Sequence, residues 1–543
     1  MINISFYGSH NAAYAVEKDG EIILVLEVER FLNAKNSGLA QYKCPEYFNI
    51  IFYAKYIPQF ILRYLGVKEF DICYGMNHVV IMDEISYNLA DFIPAKKYIY
   101  DPHHHRSHAA GCFYQSPFKK ALIFSFDGGG DDGCFCVYSA NRKTSVELLK
   151  TVYNPSKEEN IHYDLGFPYM IFAHYMDDIR HEGLAEGNLV YPGKIMGLAS
   201  YGNVREEWLP HFIDFYKSGP QGRPATEAMY DYECKIEDLG EKIGVEFRPN
   251  DRLKGQVAWD VAATSQQAFE ECFLEIATPF MEEYKDLPIC IAGGCGLNIL
   301  LNTRIQNQFG RDVFVGPNPN DCGIAVGVLL DNLKPQKPVD LTYSGLPLLD
   351  IDSLAHYIHE GFTKSSILDI ETLVSDLANG KIVGVARGKS EHGPRALGNR
   401  SILCNPSFPE MKDTLNAKVK HREWYRPFAP VVRLEDVSKY FEWNGESQWM
   451  TFCPVVREEW REKLVAITHI DNTARIQTVT REQNEWLYDL LTEFEKSTGI
   501  GVLLNTSFNV NGKPILSTVK DAFQIFKESE MDRLVIEDYY FTK

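Results

Sequence analysis

The stretch Ala121-Leu122-Ile123-Phe124-Ser125-Phe126-Asp127-Gly128-Gly129-Gly130-Asp131-Asp132-Gly133-Cys134-Phe135-Cys136-Val137-Tyr138 reads as strand, tight polar turn, strand. Ala121–Phe126 reads as one strand and Cys134–Tyr138 as its return, about the turn Asp127–Gly133. The same plan occurs at the start of the chain, where Ile2–Tyr7 and Ile22–Val28 flank a turn at Gly8-Ser9-His10-Asn11. A strand–turn–strand plan used twice points to an internally duplicated nucleotide-binding α/β fold. Many antiparallel sheets would show the same two hairpins, so the duplication leans on the motifs around them.

Working outward, Ile289–Ala292 enters the loop Gly293-Gly294-Cys295-Gly296-Leu297-Asn298, after which a helix is expected through Asn302 and Ile305. Val313–Val315 is followed by a Pro/Asn-rich loop and by Asp321-Cys322-Gly323, which opens the apolar segment Ile324–Leu330. From Asn332 to Leu349 the chain carries Pro335, Pro338 and Pro347 without periodicity, and the main linker is expected there. The expected division is 1–340, a linker at 341–350, and a second α/β unit over 351–543 that includes the strand Ile382–Ala386.

The 543 residues exceed one ordinary core, and 45% apolar with 24% charged side chains is a folded composition. The net charge of −19, from 55 basic and 74 acidic residues, argues against a large nucleic-acid footprint, though a local basic groove survives such a balance. Neither a secretory leader nor a membrane-length apolar run is read, so a cytoplasmic location is expected. The 12 cysteines contain no C-x-x-C pair, which argues against a zinc ribbon and for reduced, buried thiols.

Chemistry concentrates in Asp101-Pro102-His103-His104-His105-Arg106-Ser107-His108-Ala109-Ala110, where four histidines fall within six residues. On a helix, positions four apart share a face, so His104 and His108 can present two imidazoles to one metal while His105 points elsewhere. Carboxylates must complete such a sphere, and Asp127 and Asp321 sit in suitable loops. Mixed imidazole and carboxylate ligation suits iron, manganese or zinc better than calcium. The glycines of Asp127-Gly128-Gly129-Gly130 and Gly293-Gly294-Cys295-Gly296 allow backbone amides to approach a phosphate. Neither loop matches a Walker A or dinucleotide consensus.

The second half carries Glu391-His392-Gly393-Pro394-Arg395-Ala396-Leu397-Gly398-Asn399-Arg400-Ser401 and Lys418-Val419-Lys420-His421-Arg422-Glu423, leading into Arg426-Pro427-Phe428-Ala429-Pro430. Arg475-Ile476-Gln477-Thr478-Val479 and Asn505-Thr506-Ser507-Phe508-Asn509 follow. Charge runs are usually solvated faces. Here they lie among turn-forming and aromatic residues in an acidic chain, which favours a concave polyanion site built on arginine forks.

These motifs, in this order from end to end, resemble the NodU/CmcH family of O-carbamoyltransferases. The resemblance is carried by His10, Glu27–Phe31, His104–Ala110, Gly193-Lys194-Ile195-Met196-Gly197-Leu198-Ala199-Ser200-Tyr201-Gly202, Gly293–Asn298, Gly393–Ser401, His421–Pro430 and Asn505–Val510. It implies an N-terminal actin/Hsp70-like duplicated ATPase fold, similar to the tRNA threonylcarbamoyl transferases, joined to a C-terminal YrdC-like α/β domain. It further implies that the C-terminal site makes carbamoyl-adenylate from carbamoyl phosphate and ATP, and that the N-terminal site passes the carbamoyl group to an acceptor hydroxyl.

By that resemblance Lys418 and Arg422 serve the first step, Arg395, Arg400 and Arg475 neutralise the anions, and Asn505 and Ser507 hold the carbamoyl group. His104, His108, Asp127 and Asp321 would hold a metal, iron by family analogy, with magnesium on ATP. Gly128, Gly129, Gly293, Gly294 and Asn298 would hold the nucleotide, and His10 would act as general base. The acceptor is left open among sugar hydroxyls, small alcohols and hydroxymethylated pyrimidines, free or in DNA, as is a homodimer. A nitrogen acceptor and a non-enzymatic ATP-binding module are the competing readings.

Four departures from the family pattern stand out: Asn11 after His10, His392 after Glu391, Arg106-Ser107 inside the histidine motif, and a longer, more charged Asp178–Pro192.

Overall fold

The structure, a computed structural model, describes residues 1–38, 47–75, 79–82, 85–101, 103–130, 132–152, 165–179, 187–218, 235–359 and 364–543. Asp131, Pro102 and residues 180–186 of the charged Asp178–Pro192 stretch lie outside them. By internal contacts the chain divides into unit 1, Met1–Glu29 with Asn36–Leu341, and unit 2, Arg30–Lys35 with Thr342–Lys543.

Unit 1 contains two five-stranded sheets of identical plan. In the first, β1 (Ile2–Tyr7) is central, with β2 (Ala13–Lys18) and β3 (Glu21–Glu27) added antiparallel on one side. On the other side β4 (Phe70–Gly75) and β5 (Ala95–Tyr100) run parallel. In the second sheet β6 (Lys120–Gly130) is central, β7 (Gly133–Asn141) and β8 (Val146–Thr151) are antiparallel, and β9 (Ile289–Ala292) and β10 (Val313–Phe314) are parallel. Both read 3-2-1-4-5 with the same strand senses, so the internal duplication read from the two hairpins is present. The central strand β6 carries a nearly unbroken apolar run because both of its faces are covered, every residue of Ala121–Phe126 being buried, whereas β1 buries the polar Asn3 and Ser5 as well.

Helix α1 (His104–Gln115) crosses β6 and β9 and packs along α2 (Ile324–Leu333). The two helices approach so closely that a Cβ on Gly327 would lie 1.9 Å from the Ser107 carbonyl oxygen, so only glycine fits there. Arg106, the departure inside the histidine motif, forms a two-pronged ion pair with Asp331 on α2 (2.7 and 3.2 Å), tying the same helices together. Behind β6 the rings of Phe126, Phe135 and Phe273 pack with centroids 5.0–5.8 Å apart. Each such pair contributes about 0.5–1.5 kcal/mol beyond its buried area, giving the strand that ends in Asp127 a stiff backing.

Unit 2 is built on an eight-stranded mixed sheet. Its middle strands are β12 (Val383–Ala386), β13 (Arg400–Cys404) and β16 (Val502–Ser507), and β14 (Ala429–Arg433) and β15 (Gln477–Val479) follow toward one edge. Strands β11 (Lys364–Ile367), β18 (Tyr539–Thr542) and β17 (Arg533–Ile536) complete the other side. The mixed α/β class expected of the chain holds in both units. Residues 342–350, expected as a linker, are hydrogen-bonded into unit 2: His392 N–H donates to Thr342 O (2.9 Å), Ser390 N–H to Leu346 O (2.9 Å) and Leu349 N–H to Ser517 O (2.9 Å). Three prolines without periodicity thus mark an ordered irregular segment. Among the described residues no helix is long and apolar enough to cross a membrane.

Candidate functional site

In unit 1 three elements deliver four ligating side chains to one point. His104 and His108 leave α1 one turn apart, as helical spacing requires. Asp127 stands at the end of β6, where the pairing with β7 slips between Phe126 and Gly130, and that irregularity re-aims the chain. Asp321 begins the short helical turn Asp321–Gly323 that leads into α2. His104 Nε2 lies 2.8 Å from Asp127 Oδ2 and 3.2 Å from His108 Nε2. His108 Nε2 is 3.4 Å from Asp127 Oδ2 and 3.5 Å from Asp321 Oδ1. All four residues are buried, with their ligand atoms within 4.8 Å of one another.

Ligands at about 2.1 Å from one ion stand roughly 3.0–3.4 Å apart at neighbouring positions. The observed separations, 2.8–3.5 Å with His104 Nε2 to Asp321 Oδ1 longer at 3.9 Å, lie around those edges, and two imidazoles with two carboxylates are a donor set for a transition-metal cation.

The surroundings orient these ligands. Tyr7 donates its hydroxyl to Asp321 Oδ2 (2.6 Å), and Gly129 N–H donates to Asp127 Oδ1 (2.8 Å). Asp132 accepts from the backbone N–H of His105 (2.9 Å) and Arg106 (3.3 Å), satisfying donors at the start of α1. His105 is turned to Ser125 Oγ (2.9 Å) and Gly133 O (2.9 Å), with its Nε2 also 3.6 Å from Asp127 Oδ1, so it borders the cluster. Burial pulls the His104 pKa down, but the Asp127 and Asp321 carboxylates outweigh it and push it up to about 10. Burial raises both carboxyls while the neighbouring imidazoles hold them well below the usual carboxylate range. This is the electrostatics of a centre short of positive charge.

Gly129 (φ +130) and Gly293 (φ +84) take left-handed conformations. A Cβ on Gly293 would fall 2.2 Å from Phe126 O, and one on Gly294 would touch Asp127 Cβ at 3.7 Å. Both glycine loops therefore flank Asp127. Asn298 is differently occupied: its Oδ1 caps the helix Ile299–Phe309 through Leu301 N–H (3.0 Å), and its amide pairs with that of Gln266 (3.0 and 3.1 Å). His10 is half-exposed, its Nδ1 3.3 Å from Asp321 Oδ2. Asn11 beside it adopts φ +54, a conformation asparagine tolerates, and sets Oδ1 3.3 Å from the same nitrogen.

Unit 2 assembles cations. Arg395, Arg422, Arg426 and Arg475 stand together: burial, then Arg395, Arg422 and Arg426, depress the proton affinity of Arg475, and burial, then Arg426, depress that of Arg395 to about 10. Arg422 is held by Asn416 Oδ1 (2.7 Å), Pro427 O (3.2 Å) and the Phe428 ring (4.4 Å), and Arg426 faces Glu423 at 3.6 Å. Among the described residues Arg395 and Arg475 have neither a hydrogen-bond acceptor nor a carboxylate, and their Nε atoms are sealed from solvent. Asn505 donates to Ala396 O (3.1 Å) and Gln477 Oε1 (2.6 Å), leaving its buried Oδ1 without a partner.

Two expected site residues are placed elsewhere. Lys418 is exposed and pairs with Glu530 at 3.0 Å. Lys420 takes the buried position instead, donating to Ser507 O (2.6 Å), Ser507 Oγ (3.2 Å) and Asn509 O (2.8 Å). Residues Leu415–Lys420 form a π-helical turn closed by His421 at φ +52, and the wider turn brings Lys420 inward. Arg400 is fully buried and spends its guanidinium on the carbonyls of Arg387 (2.7 Å), Gly388 (2.9 Å) and Asn399 (2.9 Å), so it holds backbone.

Residues 91–330 match the family described as Carbamoyltransferase N-terminus, and residues 374–543 match Carbamoyltransferase C-terminus. The chain is 34% identical to nodulation protein NolO of Bradyrhizobium diazoefficiens over 81% of this chain and 78% of that one. It is 31% identical to the 3'-hydroxymethylcephem-O-carbamoyltransferase of Streptomyces clavuligerus (79% and 76% covered) and 31% identical to nodulation protein U of Rhizobium tropici (81% and 75%). The chain belongs to the carbamoyltransferase family. The resemblance read from its motifs is borne out, and the protein is a carbamoyltransferase-family enzyme of the O-carbamoyl branch.

In this carbamoyltransferase, sequence reasoning passed over Tyr7, Arg426, Lys420, Gln477 and Glu391. Glu391 accepts the N–H groups of Leu397 (2.7 Å), Asn399 (2.9 Å) and Arg400 (3.1 Å) at one oxygen, shaping the loop that carries Arg395. A buried acid in a loop read for its arginines was the available signal. Tyr7 offered none, since a tyrosine closing an apolar strand is ordinary core.

Proposed function

We propose that the enzyme is an ATP-dependent O-carbamoyltransferase in which unit 2, YrdC-like in function, makes carbamoyl-adenylate and unit 1 transfers the carbamoyl group to a hydroxyl. The observation that carries this reading is the arginine cluster Arg395, Arg422, Arg426 and Arg475, two members of which have no anionic partner among the described residues. Four guanidinium groups at one place are costly unless an anion offsets them, and carbamoyl phosphate with the ATP triphosphate supplies that charge. Asn505 Oδ1 is free to accept from a carbamoyl N–H, and Lys420 fixes the Ser507–Asn509 turn beside it.

The steps balance as follows. Water cleaves carbamoyl phosphate to carbamate and phosphate, and a carbamate oxygen then attacks the ATP α-phosphorus and expels pyrophosphate. Arginines at the site stabilise the charge that gathers on the phosphoryl oxygens. In unit 1 the acceptor hydroxyl attacks the carbamoyl carbon, its proton passes to His10, and AMP leaves. Asp321 orients His10 through Nδ1, leaving Nε2 for the proton. The amides at Gly128–Gly129 and Gly293–Gly294 suit the adenylate phosphate.

His104, His108, Asp127 and Asp321 fit one divalent cation, iron by family resemblance, which when bound supplies a Lewis acid for that phosphate. The acceptor is a small-molecule alcohol, a class consistent with the hydroxymethylcephem in the name of the Streptomyces relative.

The test is pyrophosphate release from ATP by metal-loaded protein. Release that requires carbamoyl phosphate supports the first half-reaction, and candidate alcohols are then screened for the mass of one added carbamoyl group. Absence of release in intact, metal-loaded protein would overturn the donor assignment.

A further inference from the structure

Six residues from the start of the chain, Arg30–Lys35, belong to unit 2. They are tied there by side chains: Asn33 Nδ2 donates to Asp521 Oδ1 (3.2 Å), Lys513 Nζ to Asn33 O (3.4 Å), and Ser517 Oγ to Arg30 O. The guanidinium of Arg30 is buried, and its two terminal nitrogens donate to the carbonyl oxygens of Glu391 and Gly393. These are the residues that open the anion loop, and Arg395 follows Gly393 by two positions.

The rest of that loop is fixed from within. The Glu391 carboxylate gathers three N–H groups at the far end, and Arg400 holds the carbonyls of Arg387, Gly388 and Asn399. Gly393 adopts φ +102, so the chain reverses where Arg30 grips it. Two carbonyls one residue apart, engaged by one planar fork, fix the direction in which the next residues depart. Only a fork does this; a point charge satisfies one carbonyl and leaves the other free to turn.

We propose that Arg30 is a positioning residue of the unit 2 anion site, aiming Arg395 by its hold on the carbonyls of Glu391 and Gly393. The proposal rests on the reading of the arginine cluster as an anion site. It assigns a function in the C-terminal unit to an arginine 361 positions upstream of Glu391.

The test measures inorganic pyrophosphate binding to the full-length protein by isothermal titration calorimetry, alongside thermal melting. Arg30→Gln and Arg30→Lys are both expected to raise the Kd about tenfold or more, because a small misplacement of a binding group is enough. Asn33→Ala, which loosens the same segment without touching the loop, is expected to leave the Kd unchanged. If Arg30 is only a structural tie, the Arg30 variants lower the melting temperature or the active fraction while the Kd of the folded fraction stays within twofold, and the proposal fails. Arg395→Ala separates the two readings. If Arg395→Ala binds pyrophosphate normally, the anion site itself is wrong; if it loses binding while the Arg30 variants keep it, only the positioning role is wrong.

Discussion

Replacing Arg475 by methionine should make the ligand-free protein no less stable and the ligand-bound protein much less so. Arg475 lies among Arg395, Arg422 and Arg426 with no carboxylate of its own among the described residues, and burial together with those neighbours depresses its proton affinity. A guanidinium does not give up its proton in a protein, so the penalty remains as an electrostatic cost to the folded state. A buried ion left unpaired costs several kcal/mol, and the partial exposure of Arg475 reduces this. The variant should thus gain up to about 2 kcal/mol without ligand. For a unit of about 200 residues that is roughly 4–8 °C.

Pyrophosphate at 100 times its Kd should stabilise the parent by about 2.7 kcal/mol, a rise of about 5–10 °C, and the variant hardly at all. Differential scanning calorimetry at matched ionic strength reads both numbers, with chloride controlling for screening. The reasoning is refuted if Arg475→Met melts several degrees lower without ligand and still responds to pyrophosphate.

Lys418→Ala should leave pyrophosphate release within twofold, because its exposed pair with Glu530 is worth about 0–1 kcal/mol, whereas Lys420→Ala should lower release by about 100-fold; an initial-rate assay compares them. Asp127→Asn should cut cation retention on dialysis, read by elemental analysis, and carbamoyl transfer by about 100-fold, while carbamoyl-phosphate-dependent pyrophosphate release from unit 2 persists. Asp376 has its carboxyl raised by burial but lowered on balance by Arg533 and Tyr540. Its folded-state pKa is below the unfolded value, so its contribution is present above about pH 4 and disappears as pH falls through the folded value. The stability gap between parent and Asp376→Asn, from urea melts, should therefore be constant at neutral pH and narrow below about pH 4.

How much of this could be read from the residues depended on how local the determining physics is. Strands Ile2–Tyr7 and Ile289–Ala292 were legible at their ends because the first alternates apolar residues with Asn3 and Ser5 up to the turn at Gly8, and the second is a short apolar run entering Gly293. His104 and His108 were legible as a pair because helical spacing alone puts them on one face. Asp127 and Asp321 were placed with them by loop type, and the structure brings both within reach of the two imidazoles. Lys418 and Lys420 failed that logic because the turn carrying them is π-helical, and facing read at ordinary helical pitch is off by most of a residue. Arg400 misled differently: a fork that satisfies three carbonyls has the same sequence appearance as one that binds phosphate. Arg30 was beyond reach, since no local pattern reports a partner 361 residues away.

The two clusters have opposite deficits. In unit 1 two carboxylates and two imidazoles converge with Tyr7 donating to one acid, and against the pull of burial the carboxylates raise the proton affinity of His104. In unit 2 four guanidinium groups and a buried lysine converge with Glu423 as the nearby acid, and burial lowers the proton affinity of Arg395, Arg422, Arg475 and Lys420. Neither arrangement is favourable as a structural element, because replacing either with apolar side chains of like volume would relieve its charge. Packing therefore does not account for either cluster, whereas the ligands of the proposed function would: a cation for the first cluster and a polyanion for the second. On the proposed function both deficits have a use: the carbamoyl group is activated among phosphates in unit 2 and passed on from an adenylate in unit 1, so each cluster is filled by a different partner of the same reaction.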